Sequence, residues 1–389
     1  MGRVYLDWNA TAPLRPEARA AMMAACDIIG NPSSIHGEGR AARAVVEAAR
    51  REVAALAGAE PRNVTFTSGG TEANLLALAP GHQLDGAQTA WLLHSAIEHP
   101  SVRAGGRFPS ESVAEVPVEV DGRVDLSALD RRLAARAESG GRPLVSIMLA
   151  NNETGVIQPV QEAARIVHGW GGILHVDAIQ AAGKIPCDID ALGADLMTLS
   201  GHKLGGPKGV GAVIVRHQGL HLADPLFKGG GQERGARAGT ENVTGIAGFG
   251  AAAAAAAAAR GDEAARLAAL RDRLEAGLKA IAPDVVIFGA SAERLPNTTC
   301  FAVPDVRAEI ALIALDLDGI AVSSGSACSS GKVAASHVLD AMRIERALAR
   351  CAIRVSLGFS TTGQEVHSLL EAWNKLARAL LKRTHGIAA

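Results

Sequence analysis

The sequence has no excess of charge. Lys and Arg number 39 against 40 Asp and Glu, a formal net charge of −1, so it offers no electrostatic footprint for nucleic acid. It has no CxxC pair. Cys26, Cys187, Cys300, Cys328 and Cys351 are odd in number and widely spaced, which argues against a disulfide framework or a zinc site. No basic stretch precedes an apolar run at the N-terminus, because Tyr5-Leu6-Asp7-Trp8-Asn9 is broken by charge too early for a signal peptide. No apolar run reaches the roughly 20 residues of a membrane span. The nearest, the alanine-rich stretch around Ala251–Ala259, is short and weakly apolar. We find no internal repeat. These absences leave the expectation of a cytoplasmic protein with neither a membrane nor a nucleic acid as direct partner.

What is present fits an ordinary globular chain, with 48% hydrophobic and 20% charged residues. Its 389 residues suit two domains, or one large domain with a smaller appendage. Short apolar runs at Asn63–Thr67, Trp91–His94, Leu144–Ala150, Ile173–Val176, Leu196–Leu199 and Gly211–Val215 alternate with helical or loop stretches. That alternation predicts a mostly parallel sheet covered by helices on both faces. Glu38–Ala57 predicts a helix with Val45, Val46 and Leu56 on one face, ended by Gly58. After Gly250 the composition shifts. Nine alanines and Glu263–Ile281 predict a long helix between domains. Strands at Thr298–Val303 and Ile353–Ser356, with helices at Ala308–Leu315 and Glu365–Leu381, predict a smaller α+β domain.

Reactive residues recur just after the strands, where open α/β sheets bind ligands. Asn63–Thr67 is followed by Ser68-Gly69-Gly70-Thr71-Glu72. There glycines admit an anion and Thr71 opens a helix whose free N–H groups favour phosphate. Ile173–Val176 is followed by Asp177, with Gln180 three residues on; such an Asp can also be a plain helix cap. Leu196–Leu199 is followed by Ser200-Gly201-His202-Lys203. Most lysines lie on solvated faces, but one at a strand end points into the crevice. Desolvation lowers its proton affinity and suits it to Schiff-base chemistry. A lysine, an upstream Asp for a pyridinium nitrogen and a Gly/Thr helix start for phosphate are together the parts of a pyridoxal 5'-phosphate site.

The segments Tyr5–Pro13 (YLDWNATAP), Asn31–His36 (NPSSIH), Phe66–Asn74 (FTSGGTEAN), Asn151–Val156 (NNETGV), His175–Gln180 (HVDAIQ), Ser200–Gly209 (SGHKLGGPKG), Gly229–Asn242 (GGGQERGARAGTEN) and Ser323–Ser330 (SSGSACSS) resemble the cysteine desulfurases of the NifS/IscS type. The likeness runs over nearly the whole chain, with order and spacing kept. It implies a class V aminotransferase-like, fold-type I pyridoxal-phosphate enzyme. Such a fold has a mostly parallel seven-stranded sheet flanked by helices, with a smaller α+β C-terminal domain. The large cofactor-binding domain would be 15–255. The small domain would be 1–14 with 256–389 and would carry the Cys328 loop.

The resemblance also implies roles. Lys203 would attach the cofactor and later move the Cα proton. His99 would stack on the ring and act in proton transfer, although without the resemblance a histidine there reads rather as a helix cap or a core residue. Asp177 would pair with the ring nitrogen and Gln180 would reach the ring hydroxyl. Gly70, Thr71, Ser200 and His202 would hold the phosphate, and Thr240 would reach that of the other subunit of a homodimer. Asn152 and Arg354 would hold the substrate carboxylate. Cys328 would take sulfur from L-cysteine as a persulfide for an acceptor protein such as an iron–sulfur scaffold. Small polar neighbours on both sides of Cys328 predict an exposed, mobile loop, whereas Cys300 and Cys351 adjoin apolar runs and read as core. Ala238 departs from the family's usual Ser. Two other readings remain at this point: a selenocysteine lyase or another pyridoxal-phosphate aminotransferase, and an idle sulfur carrier.

Overall fold

Runs that are apolar on both faces become the interior of the main sheet. In this computed structural model, which describes residues 2–136, 140–217, 219–223, 225–324 and 336–385, the sheet order is Val64–Thr67, Gly211–Val215, Leu196–Ser200, Ile173–Asp177, Arg142–Met148, Ala87–Ser95, with Val113–Val116 beside the last. Gly211–Val215 runs against both its neighbours. The pairings from Leu196–Ser200 to Val113–Val116 are parallel. These seven strands match the expected sheet, and the two-residue strand Gln83–Leu84 adds an eighth against the start of Ala87–Ser95. Ile173–Asp177 and Leu196–Ser200 are buried at every position, as parallel strands covered on both faces must be. Val113–Val116 escaped the sequence reading because it is short and only Val116 is fully buried. Cys328 lies outside the described residues.

The first helices follow the amphipathic pattern. Gly37–Leu56 buries Ala42, Val46, Ala49 and Val53. The alanine-rich region is one continuous helix, Val243–Ile281, of 39 residues. Asn242 caps it by accepting from the Gly245 N–H. By length and composition this helix could cross a membrane. Here it buries Ile246, Phe249, Gly250, Ala252, Ala253 and Ala256 and packs on Gly37–Leu56 and Pro16–Cys26. Small residues permit that approach: a Cβ on Gly250 would sit 2.5 Å from the Ala49 Cα.

A second sheet is antiparallel, in the order Val286–Ile287, Thr298–Ala302, Ile353–Ser356, Ser323–Ser324. Ala308–Leu317 and Gly363–His385 pack beside it. The N-terminal strand Val4–Tyr5 pairs with Ile320–Ala321, and Asp7 bridges to Ser356. This pairing sets residues 7 to 12 against both the second sheet and the carboxyl ends of the main-sheet strands.

Candidate active site

Parallel strands present their carboxyl ends to one side, so Asp177 and Ser200 emerge on the same rim, with Asp177 in register with Thr198. One turn after Ser200, the short helix Gly201–Lys203 carries Lys203. Across from them the helix Gly70–Ala77 begins, its N-cap Gly69 offering no side chain to its first N–H groups. These elements enclose a cavity of about 220 Å³ lined by Gly70, Thr71, His99, Asn152, Asp177, Gln180, Ser200, His202 and Lys203, with Ser101, Met148, Ala150 and Ile179. The cavity thus gathers the cofactor residues expected of one chain. A larger cavity of about 530 Å³, lined by Arg62, His217, His221 and Arg234 among others, draws on none of them.

The floor of the cavity is Asp177. Its Oδ1 accepts from the Ile179 N–H at 3.0 Å and its Oδ2 from Asn74 Nδ2 at 2.9 Å. Burial pushes its pKa up, opposed by these two donors and by the charges of His99 and Lys203. A buried carboxylate of this kind calls for a cation, and a protonated ring nitrogen supplies one. The phosphate end fits too. A Cβ on Gly70 would meet Ile179 Cδ1 at 2.5 Å and Ser200 Cβ at 3.3 Å, so a larger residue would crowd the helix start that lines the cavity with Thr71, Ser200 and His202. Burial, then Lys203 and Lys208, lower His202 to about 4; it is a neutral hydrogen-bonding group at neutral pH. The donors, the cradle and the lysine therefore fit pyridoxal phosphate.

Lys203 donates to the Asn9 and Ala10 carbonyls at 2.5 and 2.9 Å. Asn9, given no role in the sequence reading, is a hub. Its carbonyl also accepts from Gln180 Nε2 at 3.0 Å, and its Oδ1 accepts from Lys184 at 3.1 Å and Asn297 Nδ2 at 3.1 Å. Its own Nδ2 donates to Thr298 Oγ1 at 2.9 Å and Asn152 O at 3.3 Å. Lys184 was also missed. Burial, and then the charge of Lys203, lower it to about 7, and it donates to Gln180 Oε1 at 3.1 Å. The signal for Asn9 lay in the YLDWNATAP motif; for Lys184 there was none, since only folding brings it to Asn9.

The remaining expected residues lie elsewhere. Arg354 does not line the cavity but stands behind Asn152: its Nη1 donates to Asn152 O at 2.9 Å and its Nη2 pairs with Asp7 at 2.7 Å. It is 2% exposed, and among the described residues no acceptor meets its Nε. Thr240 is exposed and lines a separate cavity of about 200 Å³ with Ser68, Arg237 and Gly239. Cys300 and Cys351 are buried, as expected, and Cys26 is exposed.

The chain's likeness to known proteins agrees with this geometry. Residues 4–369 match the family of class V aminotransferases. A cysteine desulfurase of Cereibacter sphaeroides is 44% identical over 95% of each chain. The cysteine desulfurase IscS of Dictyoglomus turgidum is 40% identical over 97% of this chain and 95% of its own. A solved NifS-like protein from Rickettsia africae superposes with a TM-score of 0.86 at 36% identity, over 97% of this chain and 99% of that one. The protein SspA, solved in complex with cysteine, superposes with a TM-score of 0.72 at 26% identity, over 91% of this chain and 98% of its own. With the fold, the cavity and these relatives in agreement, the chain belongs to the class V aminotransferase family, among its NifS/IscS-like cysteine desulfurases.

Proposed function

We propose that this protein is an L-cysteine desulfurase using pyridoxal phosphate, which forms L-alanine and leaves the sulfur on Cys328. One observation carries the reading: a single cavity holds Lys203, Asp177 and His99 beside a glycine-built anion cradle. When bound, the cofactor supplies an electron sink for the substrate Cα. Lys203 attaches it and moves the Cα proton. Asp177 keeps the ring nitrogen charged, and Gln180, oriented by Lys184, serves the ring hydroxyl. Asn152 in the cavity wall and Arg354 directly behind it hold the substrate carboxylate, for which the Arg354 guanidinium must reach past its contact with the Asn152 carbonyl. The Cys328 thiolate forms an S–S bond as the substrate C–S bond breaks, and the persulfide passes to an acceptor protein. Iron–sulfur cluster assembly is the destination we propose, on the likeness to IscS-type relatives. Thr240 completes the phosphate site of a second copy, a role consistent with its absence from the Lys203 cavity of its own chain. The test is an optical spectrum of the purified protein, followed by L-cysteine. The protein should be yellow, and should release alanine with equimolar sulfide in the presence of a thiol, needing no keto acid. A requirement for a keto acid, or no sulfide, would replace this reading by a transaminase.

Arg354→Lys tests the carboxylate site. The change keeps the charge and loses the planar fork. We expect kcat/KM for L-cysteine to fall roughly 30- to 1,000-fold, or about 2–4 kcal/mol. Because Arg354 also pairs with Asp7, a melting curve should accompany the kinetics. A folded variant with unchanged kinetics would remove Arg354 from substrate binding.

A further inference from the structure

A chain of polar side chains, buried at Asp177 and Asn74 and partly buried at Ser101 and His99, runs from the cavity floor along its wall. Asn74, fully buried, donates from Nδ2 to Asp177 Oδ2 and to Ser101 Oγ, both at 2.9 Å. Ser101 Oγ lies 2.8 Å from His99 Nδ1, and the Ser101 N–H donates to the same nitrogen at 3.2 Å. On its other side, Asn74 Oδ1 accepts from Thr198 Oγ1 at 2.6 Å. Thr198 Oγ1 lies 3.1 Å from His175 Nε2, and His175 Nδ1 lies 2.8 Å from Ser146 Oγ. Burial lowers His175 to about 3, so it is neutral.

The directions in this chain follow once Asp177 is ionised opposite a cationic ring nitrogen. An ionised carboxylate only accepts, so the Asn74 NH2 must face Asp177, and its second hydrogen goes to Ser101. Asn74 Oδ1 then needs a donor, which is the Thr198 hydroxyl. That hydroxyl, having spent its proton, accepts from His175 Nε2–H, which leaves His175 Nδ1 to accept from Ser146. At the other end the Ser101 backbone N–H can only donate, which disfavours a proton on His99 Nδ1, but at 3.2 Å it is the longer contact to that nitrogen, so the Ser101 hydroxyl at 2.8 Å decides the tautomer. Ser101, accepting from Asn74, has its hydroxyl hydrogen to give to that same nitrogen.

We propose that Asn74 and Ser101 are positioning residues that lock His99 as its Nε2–H tautomer. The inference rests on the reading of His99 as the proton-transfer group of the Lys203 cavity. Its consequence is that resting His99 presents a proton at Nε2 and acts first as a donor, which leaves removal of the Cα proton to Lys203. One amide also ties the orientation of Asp177 to that of His99.

The experiment is long-range ¹H–¹⁵N NMR of histidine-labelled protein, pyridoxal phosphate bound and substrate absent, with His99 assigned from the His99→Gln spectrum. Wild-type His99 should show a protonated Nε2 and a bare Nδ1. Ser101→Ala removes the hydroxyl donor, and Asn74→Ala frees that hydroxyl to turn, so both should populate the Nδ1–H form. In both, kcat should fall by up to ~10²-fold with KM little changed. Ser101 is only partly buried, so that variant keeps the test alive if Asn74→Ala fails to fold. Wild-type His99 in the Nδ1–H form, or wild-type tautomer ratios in folded variants, would overturn the proposal. Because the tautomer is read without substrate, a locked His99 in a protein that makes no sulfide would sink the desulfurase reading alone.

Discussion

Lys203→Ala will yield a protein that loses its yellow colour on desalting and turns over L-cysteine at least ~10³-fold more slowly, since one change removes both the attachment point and the proton-moving base. The site has a rival. Lys184, brought down to about 7 by burial and by Lys203, is chemically fit to attack a carbonyl group. Geometry decides between them. Lys203 lines the cavity, whereas the Lys184 amine is held by Asn9 Oδ1 and Gln180 Oε1. Lys203→Arg will fail as well, because guanidinium does not give up its proton. The fold should survive, for Asn9 O keeps Gln180 Nε2 as a donor when Lys203 is gone. Borohydride reduction of the wild type followed by peptide mapping is the direct measurement, and cofactor on Lys184 or Lys208 would refute the assignment.

Cys328→Ser will keep its colour, and its spectrum will still respond to L-cysteine, but alanine and sulfide release should fall by ~10³-fold or more. In the proposed mechanism Lys203 and Asp177 would activate the Cα of many amino acids, so they do not specify this reaction. Lifting the sulfur off requires a second nucleophile, and a thiolate suits it, being nucleophilic near neutral pH. The buried cysteines are poor candidates. Burial pushes Cys187 up to about 12 and raises Cys300 and Cys351. Cys300 sits inside the second sheet opposite Arg354. Cys26 is exposed at the end of Pro16–Cys26, which makes Cys26→Ser the control expected to behave as wild type. Mass spectrometry after L-cysteine, without reductant, should find one extra sulfur on the Cys328 peptide. Normal turnover by Cys328→Ser, or a persulfide on another cysteine, would hand the protein to the lyase or transaminase reading.

Much of the site was legible because its residues follow strand ends. Asp177, Ser200 and Lys203 stand where apolar runs stop, and in a parallel sheet those stops share one rim. The β-branched runs and the alanine-rich helix follow from local propensity and period, which reside in the sequence itself. Glycine at position 70 could be read as an anion cradle, although only the structure shows Ile179 and Ser200 closing on it. Arg354 was named on resemblance, and nothing in its local sequence pointed to Asn152 or Asp7.

Pattern and motif alone determined the sheet, because each strand is a contiguous run, and they pointed to Lys203 and to a cofactor class through motifs that each sit at a strand end. Tertiary structure decided the supporting shell. Asn9 meets Lys203 and Gln180 across more than 170 residues of chain because Val4–Tyr5 pairs with Ile320–Ala321 and draws the N-terminus over the site. Asn74 meets Asp177 and Thr198 because the helix Gly70–Ala77 packs across the strand Leu196–Ser200. A buried amide has no periodic or compositional mark, and its donors and acceptors acquire a direction only when every partner is in place.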